Sequence, residues 1–191
     1  MPLRPTYASA MSEPLIAANT INTFTGPQDL IRATGNGAFV SQPVIIPANY
    51  LKAGTIIRTE AWGSFSTTGT PTLVFGVYTG VGTTYTATNA INVALTTASG
   101  AVTLPWQLNV TTIIRSTANY AAVVTIGKGE LVYGTTLTAV TQIPLPGVAL
   151  ATSNIDNSVA VEWAVCATYS ASSASNIIVL HGFNVEELTQ L

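Results

Sequence analysis

The stretch Val102-Thr-Leu-Pro-Trp-Gln-Leu-Asn-Val-Thr-Thr-Ile-Ile-Arg115 decides the fold class of this chain. Every second residue from Val102 to Val110 is apolar, as is Ile114, and most of the residues between them are polar. Since successive side chains of a strand point to opposite faces, this alternation predicts a half-buried β-strand. Pro105 predicts a bulge or an edge position near its start.

The same alternation recurs along most of the sequence. Residues 159–169 and 177–185 alternate on either side of a Ser-rich loop, residues 170–175, and this pattern predicts an antiparallel hairpin. Further strands are predicted at residues 38–46, 55–66, 72–78, 90–96, 121–126 and 131–133. Turn signals separate them at residues 35–37, 67–71, 79–82 and 127–130, and residues 67–71 are predicted to be a tight hairpin connection.

These strands predict an all-β fold, because helical periodicity is nearly absent. With about eight strands in one domain, the expected architecture is an antiparallel β-sandwich of jelly-roll type over residues 36–191. Residues 1–35 are interrupted by four prolines, and we predict an extended N-terminal arm there, with a disordered leader as the alternative.

Charge is scarce in the 191-residue chain: Asp, Glu, Lys and Arg make up 7% of it, against about 25% in an average soluble domain. Apolar residues reach 48%, and the mean hydropathy is +0.44. A monomer normally stays soluble through mixed surface charge. The surface of this chain must consist largely of Thr, Ser, Asn, Ala and Gly, and such a surface suits burial against neighbouring subunits. The alternative is a Thr/Ser-rich sandwich that is soluble alone.

Two partner classes are not expected. Apolar runs fall short of the about 18 residues that span a bilayer, and the N-terminal residues have no apolar core typical of a secretory signal. The net charge is −2, and the six basic residues form no stripe that could neutralise a phosphate backbone. We therefore predict neither a membrane nor a nucleic-acid partner.

Cysteine and histidine chemistry is limited because each residue occurs once. Cys166 lies in an apolar strand pattern and is expected to be a small buried hydrophobe. His181 shares strand parity with Val179 and Phe183, which predicts a structural histidine on an apolar face. A Cys166–His181 pair on neighbouring strands is the alternative, although no basic, partly exposed setting for a reactive thiol is visible.

Paired carboxylates are also scarce. Glu60 and Glu162 could meet across a sheet, but Arg58 on the same strand face as Glu60 favours a cross-strand or intersubunit salt bridge. With one histidine and no converging acids, the sequence predicts no catalytic, cofactor-binding or metal-ligating residue. We expect a protein that is not an enzyme.

The three tryptophans divide into two groups. Trp106 and Trp163 alternate with polar residues and are predicted in the core. Trp62 shares a strand face with Arg58 and Glu60, which favours a subunit contact or a ligand surface. Trp62 is the aromatic residue that the sequence singles out.

One stretch resembles a known family. Residues 46–80, from Ile46-Pro-Ala-Asn-Tyr-Leu-Lys-Ala-Gly54 through Ser66-Thr-Thr-Gly-Thr-Pro-Thr-Leu73 to Phe75-Gly-Val-Tyr78, look like the jelly-roll domains of tailed-bacteriophage virion proteins, and the rest follows only in pattern. The resemblance implies a minor capsid, capsid-decoration or minor tail protein that self-associates, often as a trimer, without catalysis. Gly54 and Pro71 also have plain structural roles, a positive φ and a fixed strand entry.

Three functions remain open on these grounds. The first is a homotrimer that cements a capsid shell, with the arm lying on the major capsid protein or another virion protein, assembled in the host cytoplasm. The second is a tail or fibre component whose loops at residues 79–88 and 170–175 bind a host glycan. The third is a stand-alone carbohydrate-binding module.

Overall fold

Most segments in which apolar and polar residues alternate form β-strands. The computed structural model describes residues 9–10, 19–32, 37, 40, 43–82, 84–97, 100–136, 138–146 and 153–188. Its strands are β1 (Ser9–Ala10), β2 (Asn19–Asn22), β3 (Gln28–Asp29), β4 (Val44–Ile46), β5 (Ile56–Ser66), β6 (Thr72–Val81), β7 (Thr84–Thr96), β8 (Leu104–Ser116), β9 (Val123–Thr136), β10 (Ala139–Leu145), β11 (Ser153–Ile155), β12 (Val161–Tyr169) and β13 (Ile177–Glu187). A 3₁₀ turn at Tyr120–Ala122 precedes β9.

The strands form two antiparallel sheets. The large sheet has the order β1-β13-β5-β8-β9-β10, with β2 also on β13 and β11 on β9, and the small sheet has the order β3-β12-β6-β7, with β4 also on β12. Within the described residues, eight strands are seven residues or longer. The predicted all-β sandwich of about eight main strands is confirmed.

The core lies between the two sheets and contains two tryptophans that bridge them. Trp106 on β8 packs against Phe75 of the small sheet, with ring centroids 4.7 Å apart. Trp163 on β12 donates from Nε1 to Oγ1 of Thr59 in the large sheet at 2.9 Å. Both are fully buried, as predicted, and each indole nitrogen has a partner, as a buried indole requires. Val102 and Val159 are exposed because both precede the strands to which they were assigned.

Two predicted hairpins are wrong in the same way. Strands β5 and β6 belong to different sheets, as do β12 and β13, so residues 67–71 and 170–176 are arches that cross the sandwich. Sheets pack about 10 Å apart, a distance that five to seven residues can span. The arches bind each other: the Thr68 amide donates to Asn176 Oδ1 at 2.9 Å, and the Ser170 amide donates to the Thr72 carbonyl at 2.9 Å.

The predicted turn at residues 127–130 is also wrong. Strand β9 runs through it without a break and joins two strands predicted separately. Glycine is needed there for another reason: a Cβ atom on Gly129 would lie 2.0 Å from the Asn109 carbonyl oxygen. Tight packing against β8, and not turn geometry, therefore accounts for this glycine.

Other turn assignments mix success and error. Gly54 has the positive φ predicted for it, at +92°, in the connection at residues 47–54, where Leu51 is fully buried. Gly69 in the first arch also has a positive φ, at +73°. Strands β6 and β7 form a hairpin that turns at Gly82, so residues 79–88 are mostly strand and not the predicted loop. Pro105 pairs with Ser64 without a register shift, which excludes the predicted bulge against β5.

The described part of the predicted N-terminal arm lies on the sandwich itself. Strands β1 and β2 pair with β13, and β3 pairs with β12. Ile21 and Leu30 are fully buried in the core. Residues 11–18 of the arm lie outside the described residues, and the boundary at residue 35 stays a prediction. No helix in the described part is long and apolar enough to cross a membrane.

We predict that Gly129→Ala destabilises the protein by about 1–3 kcal/mol, because the methyl group collides with the β8 backbone. The matched control is Gly26→Ala, where the space is open and φ is not positive. Urea unfolding monitored by circular dichroism gives both free energies. Equal values for the two variants would contradict a continuous β9 packed on β8.

Candidate functional site

The residues considered for catalysis do not meet. Cys166 lies on β12 in the small sheet, fully buried, and burial raises the pKa of its thiol well above the usual range. His181 lies on β13 in the large sheet, where Nε2 is 3.5 Å from Ser64 Oγ. The Cys166–His181 pair is therefore absent, and the thiol lies in the unreactive setting expected of a buried hydrophobe.

His181 itself is exposed, so its predicted apolar-face position is wrong. The register between β13 and β5 shifts between Leu180 and Gly182, which makes His181 the extra residue of a β-bulge. Ile178 and Leu180 face the core before the bulge and Phe183 does so after it. A strict two-residue period cannot anticipate such a change of parity.

The two acids considered as a pair lie on opposite outer faces of the sandwich. Glu60 is in the large sheet beside Arg58, whose Nε lies 3.9 Å from Glu60 Oε1 and whose Nη1 lies 3.8 Å from Glu186 Oε2. Glu162 is in the small sheet and binds Arg32. Among the described residues, no group of three or more His, Cys, Asp or Glu side chains is placed to hold a metal ion.

A buried polar cluster holds the N-terminal segment on the small sheet. Arg32 Nη2 donates to both carboxylate oxygens of Glu162, at 2.8 and 2.9 Å, and Arg32 Nε donates to the Tyr85 hydroxyl oxygen at 2.7 Å. That hydroxyl lies 2.6 Å from Glu162 Oε2 and 3.1 Å from Asp29 Oδ2. The bidentate pair joins chain positions 130 residues apart.

The cluster perturbs the acidity of its members. Burial raises the pKa of Asp29 to about 6, although hydrogen bonds from the Ile31 amide and Tyr85 act in the opposite direction. Burial disfavours the charge on Arg32, but hydrogen bonds to Glu162 and Tyr85 outweigh it and raise the pKa of the guanidinium. Burial and the nearby Asp29 carboxyl raise the pKa of Tyr85. These groups are enclosed, which favours a structural role over ligand binding.

Asp29 makes stability depend on pH. Its folded-state pKa is about 6 against 3.8 for the free side chain, so the folded form holds the proton more tightly. The stabilisation is fully present below pH 3.8 and is lost as pH rises towards 6. We predict that wild type loses up to about 3 kcal/mol more than Asp29→Asn over this interval. Urea unfolding at pH 4 and pH 7 measures the difference, and parallel behaviour of the two proteins would contradict a buried, protonated Asp29.

The outer face of the large sheet presents the second collection of functional side chains, arranged in rows by strand pairing. The first row is Gly182-Trp62-Gln107-Val132-Gln142, the second is Asn184-Glu60-Asn109-Glu130-Pro144, and the third is Glu186-Arg58-Thr111-Lys128. Gln142 Nε2 donates to Glu130 Oε2 across the first two rows. The face therefore combines an aromatic side chain with amides, three acidic side chains and two basic ones.

Trp62 is the most prominent side chain of this face. It is 45% exposed, and its ring covers Gly182, where a Cβ atom would lie 2.0 Å from Trp62 Cζ2. Its indole forms one wall of a groove of about 360 Å³ lined also by Pro105, Gln107 and Val140. Val140 is 68% exposed. Strands β5 and β10 are three strand spacings apart in the large sheet, so Val140 lies about 14 Å from Trp62.

Sequence reasoning found Trp62 but missed the rest of the groove. Strand β10, which supplies Val140 and Gln142, lies outside every predicted strand, although its Val140-Thr-Gln-Ile143 alternation was visible. Gly182 gave no signal, because its role depends on the bulge at His181 and on pairing with Trp62. The loop at residues 170–175 is mostly exposed, as expected of a loop, but it belongs to an arch at the end of the sandwich.

Comparison with known proteins gives little more. No protein-family model and no curated protein matches the sequence. Among solved structures, the chain is similar to the CBM2 module of the evolved Dit of Lactobacillus casei BL23 phage J-1, with 12% identity, a TM-score of 0.29 and coverage of 77% of this chain and 69% of that one. A TM-score this low does not establish a shared fold.

Proposed function

We propose that this chain is a non-catalytic carbohydrate-binding β-sandwich of a bacteriophage virion. The observation that carries the carbohydrate part is Trp62, held open to solvent over Gly182 beside a groove. A pyranose ring has an apolar C–H face that stacks on an aromatic ring, and hydroxyls at its rim that need hydrogen-bonding groups. Trp62 supplies the first requirement, and Gln107 supplies the second.

The groove has the character of a small-ligand site. Its walls are mainly apolar and aromatic, with one amide side chain, Gln107. Small-ligand sites usually have this composition, because apolar walls bury the ligand and a few polar groups fix its orientation. Gly182 matters because any side chain there would push the indole out of position. The ring is thus placed by the backbone beneath it and needs little ordering when a ligand binds.

The virion part of the proposal is supported by the resemblance of residues 46–80 to phage jelly-roll proteins. Those residues form the end of β4, all of β5 and the first arch with most of β6, so they contribute the strand that carries Trp62. They also lie in both sheets. A location in the tail or at a fibre tip, where host glycans are met, is the placement that fits this face.

Capsid cementing as a trimer is the second candidate. It is favoured by the low charge content and by Val81 and Val159, two exposed apolar side chains that line one depression of about 390 Å³. It is weakened by the position of residues 19–32, which pair with this chain's own sheets and bury Ile21 and Leu30 there. Sedimentation of the full chain alone and with purified shells tests both the trimer and the attachment.

We predict that the purified chain binds oligosaccharides on a mixed glycan array and that Trp62→Ala weakens binding about tenfold or more, since the stacking surface is lost. Gly182→Ala is expected to act in the same direction by displacing the ring. Val81→Ala, an exposed apolar residue of the other sheet, is the matched control. Calorimetry measures each affinity, and circular dichroism shows that the variants fold.

Fluorescence provides an independent readout of this prediction. Trp106 and Trp163 are buried and Trp62 is exposed, so a bound sugar shifts the emission of Trp62 alone to shorter wavelength. The shift is absent in Trp62→Ala. Wild-type protein that binds no glycan, or Trp62→Ala that binds as well as wild type, overturns the proposed function.

A further inference from the structure

A second, polar groove adjoins the Trp62 groove on the outer face of the large sheet. It has a volume of about 560 Å³, and its lining includes Arg58, Glu60, Gln107, Asn109, Lys128 and Glu130. Gln107 lines both grooves. The two grooves therefore adjoin at Gln107, and together they define a path along β5 and β8 from the aromatic row to the charged row.

The charges in the lining of the polar groove cancel, and Glu186 beside Arg58 adds one acid to the face. Two basic residues, Arg58 and Lys128, face two acidic ones, Glu60 and Glu130. The contacts of Arg58 with Glu60 and Glu186, at 3.9 and 3.8 Å, are loose and leave all three side chains partly exposed. A surface this close to neutral charge exerts little net attraction on a polyanion or a polycation.

The polar groups of this groove differ in kind as well as in sign. Carboxylates only accept hydrogen bonds, Arg58 and Lys128 only donate, and Gln107 and Asn109 do both. A sugar hydroxyl is itself both donor and acceptor, so adjacent hydroxyls can bind pairs of such groups. Uncharged sugars satisfy this pattern without leaving a charge unpaired.

The length of the path sets the size of the ligand. Trp62 pairs with Gln107, and Arg58, four residues earlier on β5, pairs with Thr111. At about 3.4 Å per residue, this separation is about 14 Å, the length of a trisaccharide. A single sugar on Trp62 would leave the polar groove empty.

We infer that the ligand is an uncharged oligosaccharide of at least three units, with one ring stacked on Trp62 and the others in the polar groove, where Asn109 contacts them. This inference rests on the proposed function, because it takes Trp62 as the first subsite. It adds the chemical class of the ligand and its minimum length. Gln107 marks the junction between the subsites.

The test uses cello-, chito- and malto-oligosaccharides of one to five units with the full chain in calorimetry. In the series that binds, affinity is expected to rise with length and to level off at three units. Asn109→Ala is expected to weaken trisaccharide binding about tenfold, the effect of about one good hydrogen bond, without changing monosaccharide binding. Asn154→Ala is the matched control, since Asn154 is exposed and lines neither groove.

The dependence of affinity on salt concentration distinguishes uncharged ligands from charged ones. Affinity for the neutral series is expected to stay constant from low to high ionic strength, whereas attraction to a charged polymer would fall. Two results together overturn the extended site and leave binding at Trp62 intact: equal affinity for one and three sugar units, and a trisaccharide affinity of Asn109→Ala that equals that of wild type. Binding only to the anionic glycans of the mixed array overturns the inferred ligand class. No binding to any glycan of that array overturns the proposed function as well.

Discussion

The architecture depends on two arches that cross the sandwich side by side. Residues 67–71 and 170–176 each take the chain from one sheet to the other, and the hydrogen bond from the Thr68 amide to Asn176 fixes them together. Because the arches run together, β5 pairs with β13 in the large sheet and β6 pairs with β12 in the small one. The position of Trp62 over Gly182 follows from the first of these pairings.

Local alternation predicted the strands well because the two-residue period is a property of each segment alone. It assigned the buried faces of β8 and β12, the burial of Trp106 and Trp163, and the position of Trp62 on an exposed face. It could not show which strands pair. Short loops at residues 67–71 and 170–176 look like hairpin turns in sequence, and only the pairing of their flanking strands in different sheets makes them arches. The glycines of β9 were predicted to form a turn, but they lie within a continuous strand because tertiary packing overrides turn propensity.

The candidate site was predicted in part. Trp62, Arg58 and Glu60 share a strand, so their common face was readable. Gln107, Val140 and Gly182 come from three other strands, and their approach depends on register, including a bulge that reverses parity at His181. The Arg32–Glu162 cluster was invisible in sequence because its members are 130 residues apart. Long-range pairs of this kind carry no local spacing signal.

The docking of the N-terminal strands has a consequence for synthesis. Strand β2 pairs with residues 177–180 of β13, and Arg32 pairs with Glu162, so the early residues cannot complete their pairing until β12 and β13 have been synthesised. Contacts between distant parts of a chain make folding slow, and unpaired strands are exposed to association with other molecules during the wait. The scarcity of charge removes one protection against such association. A nascent chain of this protein therefore depends on rapid completion, or on chaperones, to reach its native state.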